Sequence, residues 1–403
     1  MNTEKQVSIS GFLSLSVMSG ITIGMARIVT QLFAIDIGAD AFQIGVITAA
    51  ESVGMMLLTV PAGFIIARHG ARFVYAVASL GPLLLNLVIP LFSIWWVVAL
   101  MRLLIGICIP FRTVSMNSAF LEQLKRIGDS KAGWYRGSFT LGISVLGPAV
   151  ATFITGRTSY FWGFVVIAAL FGVMALFSLS FFPEGSKVDA IPARASPYGQ
   201  ISGLLRQRDV AESCAIEFAS NATSSLYATF ILLVAASLPG LTVHDGVNVV
   251  LLDGVVTLVA LFLGADVLRR LERRRAYLAG FAISIAGLCI ASAAHGFAGL
   301  AIGGMSMAAA AALVHLVNMI LLSRLPGDKS KVAGVYQLSQ MLGSITGAFA
   351  GGVLGKFMPV QLIFLAWVPI LVLMCLPIWL FGGQSDVMRP LAAAPQDGEE
   401  NGH

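Results

Sequence analysis

Long apolar stretches separated by short polar breaks run the length of the chain. Windows such as Ala76–Ile94, Phe161–Phe182 and Leu362–Leu380 carry no charged residue. Crossing a bilayer as a helix takes about 20 predominantly apolar residues, and a helix satisfies its own backbone hydrogen bonds where no water can. The spacing predicts twelve helices, at 9–33, 41–66, 73–94, 96–120, 132–155, 160–182, 210–236, 245–268, 276–294, 297–323, 332–355 and 360–382. They fall into two sets of six, 1–182 and 210–383. Between the sets, Pro183–Asp209 is polar and proline-bearing and reads as a cytoplasmic linker ending in a short amphipathic helix. Residues 384–403 read as a disordered cytoplasmic tail. The fold class expected is an all-α integral membrane protein with twelve transmembrane helices in two six-helix bundles.

The two sets are copies of one unit. Ala132, Gly133, Tyr135, Leu141 and Gly142 recur 201 residues later as Ala333, Gly334, Tyr336, Leu342 and Gly343. The same offset links Gly45 to Gly246, Gly63 to Gly264, Arg68 to Arg269, Arg72 to Arg273 and Asn117 to Asn318. Matched arginines and asparagines carry weight in a chain with only 11% charged residues. An internal duplication of helical units is a hallmark of secondary transporters.

Composition agrees with the pattern. Hydrophobic residues make up 57% of the chain, and the mean hydropathy is +0.88, far above soluble domains. The formal net charge of +5 reports orientation rather than nucleic-acid binding. Arg68, Arg72, Lys125, Arg126, Arg206 and Arg273 all fall in alternate loops, whereas the opposite loops hold Arg157 and Lys356. The positive-inside rule then places both termini in the cytoplasm, in a bacterial-type inner membrane. Ile9–Ala34 is longer than the apolar core of a cleaved leader and is expected to stay as a helix. Cys108, Cys214, Cys289 and Cys375 lie in apolar segments without paired spacing, as buried thiols rather than disulfides or a metal site.

Three motifs narrow the class. The loop after the second helix reads Gly63-Phe-Ile-Ile-Ala-Arg68-His-Gly70-Ala-Arg72, and Gly264, Arg269 and Arg273 repeat its spacing. It resembles the signature loop of the major facilitator superfamily, Gly-x-x-x-Asp-Arg-x-Gly-Arg-Arg or Lys, with Ala67 in place of the acid. In this reading the glycines allow close helix approach and the arginines bond helix C-terminal carbonyls at a gating contact. Arg102-Leu-Leu-Ile-Gly106 is similar to the family's Arg-x-x-Gln-Gly pattern, with Ile105 at the glutamine position; the resemblance implies a part in proton coupling. Gly147-Pro148, with Gly142 upstream and one residue out of register, resembles the antiporter signature of drug-exporting members, although Ala151 and Thr152 stand where that signature has glycines. Gly343, Gly347, Gly351 and Gly355 form a stripe for tight helix packing.

Ionisable residues inside spans mark function by default. Arg27, Glu51, Arg102, Arg112, Glu217 and Asp253 lie within the predicted helices, with His315. Three arginines and three carboxylates suggest mutual neutralisation around a polar path. The resemblance implies a cavity lined by helices one, four, seven and ten, where Arg27, Arg112, Glu217, Asn221 and His315 fall. Glu51 is the expected principal proton carrier, tuned by Arg102 or Arg27, with Asp253 near its position in the second copy. Asn318, Gln337 and Gln340 are further candidates for polar contacts.

No phosphate-binding loop is present, since Gly355-Lys356 lacks the flanking pattern, and neither His-Glu-x-x-His nor a serine nucleophile elbow occurs. An enzyme is a poor fit. The sequence is therefore expected to encode a monomeric proton-coupled exporter of a small organic molecule, such as a secreted metabolite, siderophore or drug. It needs no cofactor beyond the proton gradient, and its partners are lipid, protons and substrate, not nucleic acid. The alternatives are uptake of an anionic nutrient and a transporter-like sensor.

Overall fold

A computed structural model of the chain describes residues 9–127, 132–182, 207–268, 272–324 and 329–381. The linker from 183 to 206, Arg269 of the second basic loop and the tail from 382 onward lie outside the described residues. The first six helices are α1 (Ile9–Asp36), α2 (Ala41–His69), α3 (Ala71–Val88, extended by a 3-10 turn at Ile89–Leu91), α4 (Trp95–Ile127), α5 and α6 (Tyr160–Phe181). α5 comprises Ala132–Leu141, a π-helical stretch at Gly142–Leu146, and Gly147–Thr155. The second six are α7 (Arg208–Ser237), α8 (Val243–Leu268), α9 (Arg273–Ser292), α10 (Phe297–Arg324), α11 (Lys329–Leu354) and α12 (Leu362–Phe381). Among the described residues, ten of these segments are long and apolar enough to cross a membrane.

Local chemistry sets the ends. Asp40 starts α2 with a capping box: its carboxylate accepts the Gln43 N–H at 2.8 Å, and the Gln43 side chain accepts the Asp40 N–H at 3.0 Å. Gly70 alone separates α2 from α3, at φ +83°, where a side chain would be strained. α4 runs to Ile127, beyond the apolar limit at 120, because Leu121-Glu-Gln-Leu-Lys-Arg favours helix without needing lipid. α3 tightens early into a 3-10 turn at Pro90, which has no N–H for the α-helical ladder.

The surface is inverted relative to a soluble protein. Phe73, Leu84, Leu176, Phe262 and Leu373 are all at least 59% exposed, while Arg102, Arg112, Glu217 and Asn318 are buried. Apolar atoms face lipid, and polar atoms face one another or a cavity.

Packing repeats the sequence duplication. In the first half α1 lies on α5 and α6, α2 on α4, and α3 on α4 and α6. In the second, α7 lies on α11, α8 on α10, and α9 on α10 and α12. The broadest contacts between the halves are α2 with α11 and α5 with α8, and α7 also touches α1 and α2.

Candidate functional site

A cavity of about 630 Å³ lies between the halves. Its walls come from α1, α2, α4, α5, α7 and α11. Four of these walls carry polar residues at helical spacing: Arg27, Thr30 and Gln31 on α1; Thr48, Ser52 and Thr59 on α2; Asn221, Ser224 and Ser225 on α7; Gln337, Gln340 and Ser344 on α11. Towards one end Gln31 Nε2 donates to the Ala228 carbonyl at 3.1 Å, so α1 and α7 meet there. On the same side Gly45 and Gly352 bring α2 and α11 together, and the Lys356 ammonium sits 3.7 Å from the centre of the Phe42 ring. Towards the other end the cavity reaches Asn117 and Gln337, both exposed. That is the side of the α2–α3 turn.

Charge in the cavity is uneven. Arg102 forms an ion pair with Glu51, both lining it. The second guanidinium nitrogen of Arg102, Nη1, is buried without a partner, as are Thr30 Oγ1 and Gln31 Oε1. Buried polar atoms are almost always satisfied, and these three orphans belong to residues that line one cavity. Arg27 projects into the same space, and among the described residues no ion pair compensates it.

A family model described as Major Facilitator Superfamily matches residues 9–252. The chain belongs to this superfamily. Its structure is similar to the crystal structure of the nucleoside transporter NupG, with a TM-score of 0.78 and 14% identity over 94% of this chain and 100% of that one. A bacterial homologue of the human lysosomal transporter Spinster, in an inward-facing and occupied conformation, gives a TM-score of 0.70 and 14% identity over 92% of this chain and 95% of that one. At such identity the likeness speaks for the fold alone. A search of curated protein sequences returned no match. This facilitator is a multi-pass membrane transporter.

Several residues singled out from the sequence stand elsewhere than expected. Arg112 does not line the cavity: it is buried inside the first half, where Nε donates to Ser79 Oγ at 3.0 Å and Nη2 to Tyr75 Oη at 3.2 Å. Its charge lies over the Phe171 ring, 4.3 Å from the centre. Glu217 and His315 stand behind the wall. Glu217 accepts hydrogen bonds from Asn318 at 2.7 Å, Gln340 at 2.7 Å and Asn221 at 2.9 Å, with His315 Nδ1 at 3.4 Å. α10 contributes no residue to the lining, so the expected quartet of helices one, four, seven and ten is corrected to a set that includes α2, α5 and α11. The reason is that α2 with α11 and α5 with α8 close the seam between the halves, and the cavity runs along it. Mutual neutralisation also fails as a general rule: Glu51 with Arg102 is an ion pair, whereas amides hold Glu217 and a tyrosine holds Asp253.

The basic loops differ from their expected chemistry. Gly63 has open space where a Cβ would stand, so close approach does not explain it, while Gly264 meets Leu316. Arg68 is exposed. Arg273 reaches neither helix-end carbonyls nor the cavity but pairs with Asp209 at 2.8 Å and Glu212 at 3.1 Å on α7. The α5 motif is more informative. Gly142 and Gly147 lie against Gly20 and Gly24 of α1, backbone on backbone. Pro148 offers no N–H to the Ser144 carbonyl, and the ladder there shifts, with the Gly147 N–H donating to the Gly142 carbonyl five residues back. The Ser144 carbonyl abuts Gly254 of α8.

Asn221, Gln337 and Gln340, expected from the sequence to make polar contacts, line the cavity, but sequence reading missed its hydroxyls and Gln31. A signal was available in their spacing, as in Thr48, Ser52, Met55 and Thr59, which recur every three to four residues. Against an apolar background a stripe of small polar side chains is faint, because each is tolerated anywhere in a membrane helix through a bond to the carbonyl four residues back. Thr48 and Thr59 make that bond here.

Proposed function

We propose that this facilitator is a proton-coupled exporter, an antiporter that moves a small organic molecule out of a bacterial-type cell across the inner membrane. Secreted metabolites, siderophores and drugs are the substrate classes considered. The observation that carries the reading is the cavity between the halves, lined from both, with an uncompensated Arg27 beside the Glu51–Arg102 pair. Such a pair can exchange a charge partner for a proton or a substrate group as the halves rock. The distribution of basic residues supports cytoplasmic termini, an orientation in which the end of the cavity near Asn117 and Gln337 faces inward and receives substrate from the cell. Gly147-Pro148, with its resemblance to the antiporter signature of drug-exporting members, supports the export direction.

A second reading, uptake of an anionic nutrient, is favoured by the same free positive charge. The test is a comparison of culture medium from cells with and without the protein, with an uncoupler added. Export predicts a molecule that leaves only when the protein is present and stops leaving when the gradient collapses. Entry of an external anion that depends on the protein reverses the direction. Arg27→Ala is expected to raise the KM for an acidic substrate at least tenfold, on the basis of about 1.5–3 kcal/mol for a charged hydrogen bond.

A further inference from the structure

Each half carries a carboxylate midway along its second helix, Glu51 on α2 and Asp253 on α8. Each faces the residue 51 positions later on the fourth helix of its half (102 − 51 and 304 − 253). In the first half that residue is Arg102, and the two form an ion pair. In the second it is Gly304. A Cβ on Gly304 would collide with the Tyr227 hydroxyl and with the Asp253 carboxylate, whose Oδ2 would lie 2.9 Å away. The room that an arginine would need is taken by the acid and the phenol.

The neighbours of Asp253 supply little to hold a negative charge. From α7, Tyr227 Oη donates to Oδ2 at 3.2 Å and is the titratable group in contact. From α10 comes Gly304, without a side chain. From α5 the Ser144 carbonyl abuts the adjacent Gly254 and presents oxygen rather than a donor. Oδ1 is buried with no hydrogen-bond partner. Among the described residues, no Lys, Arg or His forms an ion pair with Asp253. His315 and Glu217 belong to a separate cluster, 11 and 10 residues from Gly304 and Tyr227 along their helices, or about 15 Å at 1.5 Å per residue. A bare carboxylate inside a bilayer-spanning bundle carries a large desolvation penalty. Glu51 escapes it through Arg102, and Asp253 has no equivalent.

We infer that Asp253 is held here as a neutral carboxylic acid and carries the coupling proton, while Glu51 is the fixed counter-ion of Arg102. The inference rests on the proton-coupled reading above and reassigns its principal carrier from the first half to the second. The placement explains how a proton would be felt by the whole molecule. Asp253 sits in the turn of α8 that packs against the π stretch of α5, one of the two seams between the halves. Neutral, it lets α8, α10 and α5 stay closely packed. When the acid gives its proton to water, the carboxylate left behind must be hydrated or re-paired, and this seam must loosen to allow it.

The test uses the full-length protein in liposomes and dicyclohexylcarbodiimide, an apolar reagent that attacks protonated carboxyls. The acid's proton passes to a carbodiimide nitrogen as its oxygen bonds the central carbon, and an oxygen-to-nitrogen acyl shift leaves a stable acylurea that peptide mass spectrometry locates. Expected are a label on Asp253 that declines as pH is raised, its loss in D253N, its persistence in E51Q, and none on Glu51. An infrared difference spectrum between wild type and D253N reads the same proton without reagent access, as a protonated-carboxyl carbonyl band lost in the variant. D253E, which keeps label and band, serves if D253N does not fold. Label on Glu51 instead, or neither label nor band at Asp253, overturns the assignment. Protection of Asp253 by sodium but not potassium at constant pH overturns it in favour of a metal-cation site. Label at Asp253 combined with transport indifferent to an uncoupler overturns the coupling role and, separately, the reading on which it rests.

Discussion

Residues in this protein are charged where charge is expensive, and each is accommodated differently. Glu51 and Arg102 neutralise one another with side chains 19% and 4% exposed. Removing one partner of a buried pair is worse than removing both, because the survivor is left unpaired in low dielectric. Arg102→Met is therefore expected to destabilise the protein by about 3–5 kcal/mol, seen as a lower thermal unfolding midpoint in detergent, and the double variant E51Q/R102M to recover most of it. A double variant no more stable than the single one would show that the pair contributes no mutual compensation. Arg112 solves its problem without a carboxylate, through Ser79, Tyr75 and the Phe171 face. That solution could not be read from sequence, because Ser79 and Tyr75 sit on a different helix and are unremarkable there. The charged positions themselves were legible. Which of them would meet was not, since a helical register says which face a residue occupies but not what stands opposite.

At the scale of elements, close approach of backbone to backbone distinguishes glycines that matter to packing from those that do not. A Cβ on Gly147 would stand 2.8 Å from both Gly24 Cα and the Ile21 carbonyl, whereas one on Gly63 would meet open space. Gly147→Leu is expected to lower stability by about 1–3 kcal/mol through overpacking of α5 on α1. Gly63→Ala is expected to be neutral or slightly stabilising, as for a glycine inside a helix with free space for a Cβ. Parallel thermal unfolding of the two variants checks both, and equal losses would contradict the packing account. The helices were legible almost throughout from apolar run length, because a membrane leaves a spanning segment few alternatives. Their ends were less so. α4 continues past the apolar limit on helix propensity, and Pro90 curtails α3, effects that act at single residues rather than along a run. The shift of the α5 ladder before Pro148 was foreshadowed by Gly147-Pro148 but needed the geometry at Ser144 and Gly254 to acquire a partner.

At the scale of the molecule, two copies of a six-helix unit meet along α2–α11 and α5–α8 and enclose a cavity lined from both. Ala41 and Gly355 touch at the narrow end. Cysteines in place of Phe42 and Phe349, whose rings meet across this seam with centres 6.0 Å apart, in a background without the four native ones, are expected to be joined by a short bis-methanethiosulfonate reagent and to stop transport until reductant is added. Cross-linking without effect on transport would mean that this seam does not open in the cycle. The duplication was visible in the 201-residue offset, and so was the general architecture, but the offset predicted equivalence where the halves have diverged. Arg102 and Gly304 occupy comparable places and do opposite things to the carboxylates before them. The proposed coupling rests on that asymmetry: a first half with charged residues lining the cavity and a second half proposed to hold the proton.

The most direct test counts protons. Once the secretion comparison has identified a transported molecule, it is added to proteoliposomes that enclose a pH-sensitive dye and contain wild-type protein, E51Q or D253N. In wild type the molecule and protons are expected to move together in opposite directions, and D253N to exchange the molecule across the bilayer without moving protons. Substrate movement in wild type with no change in internal pH would contradict it.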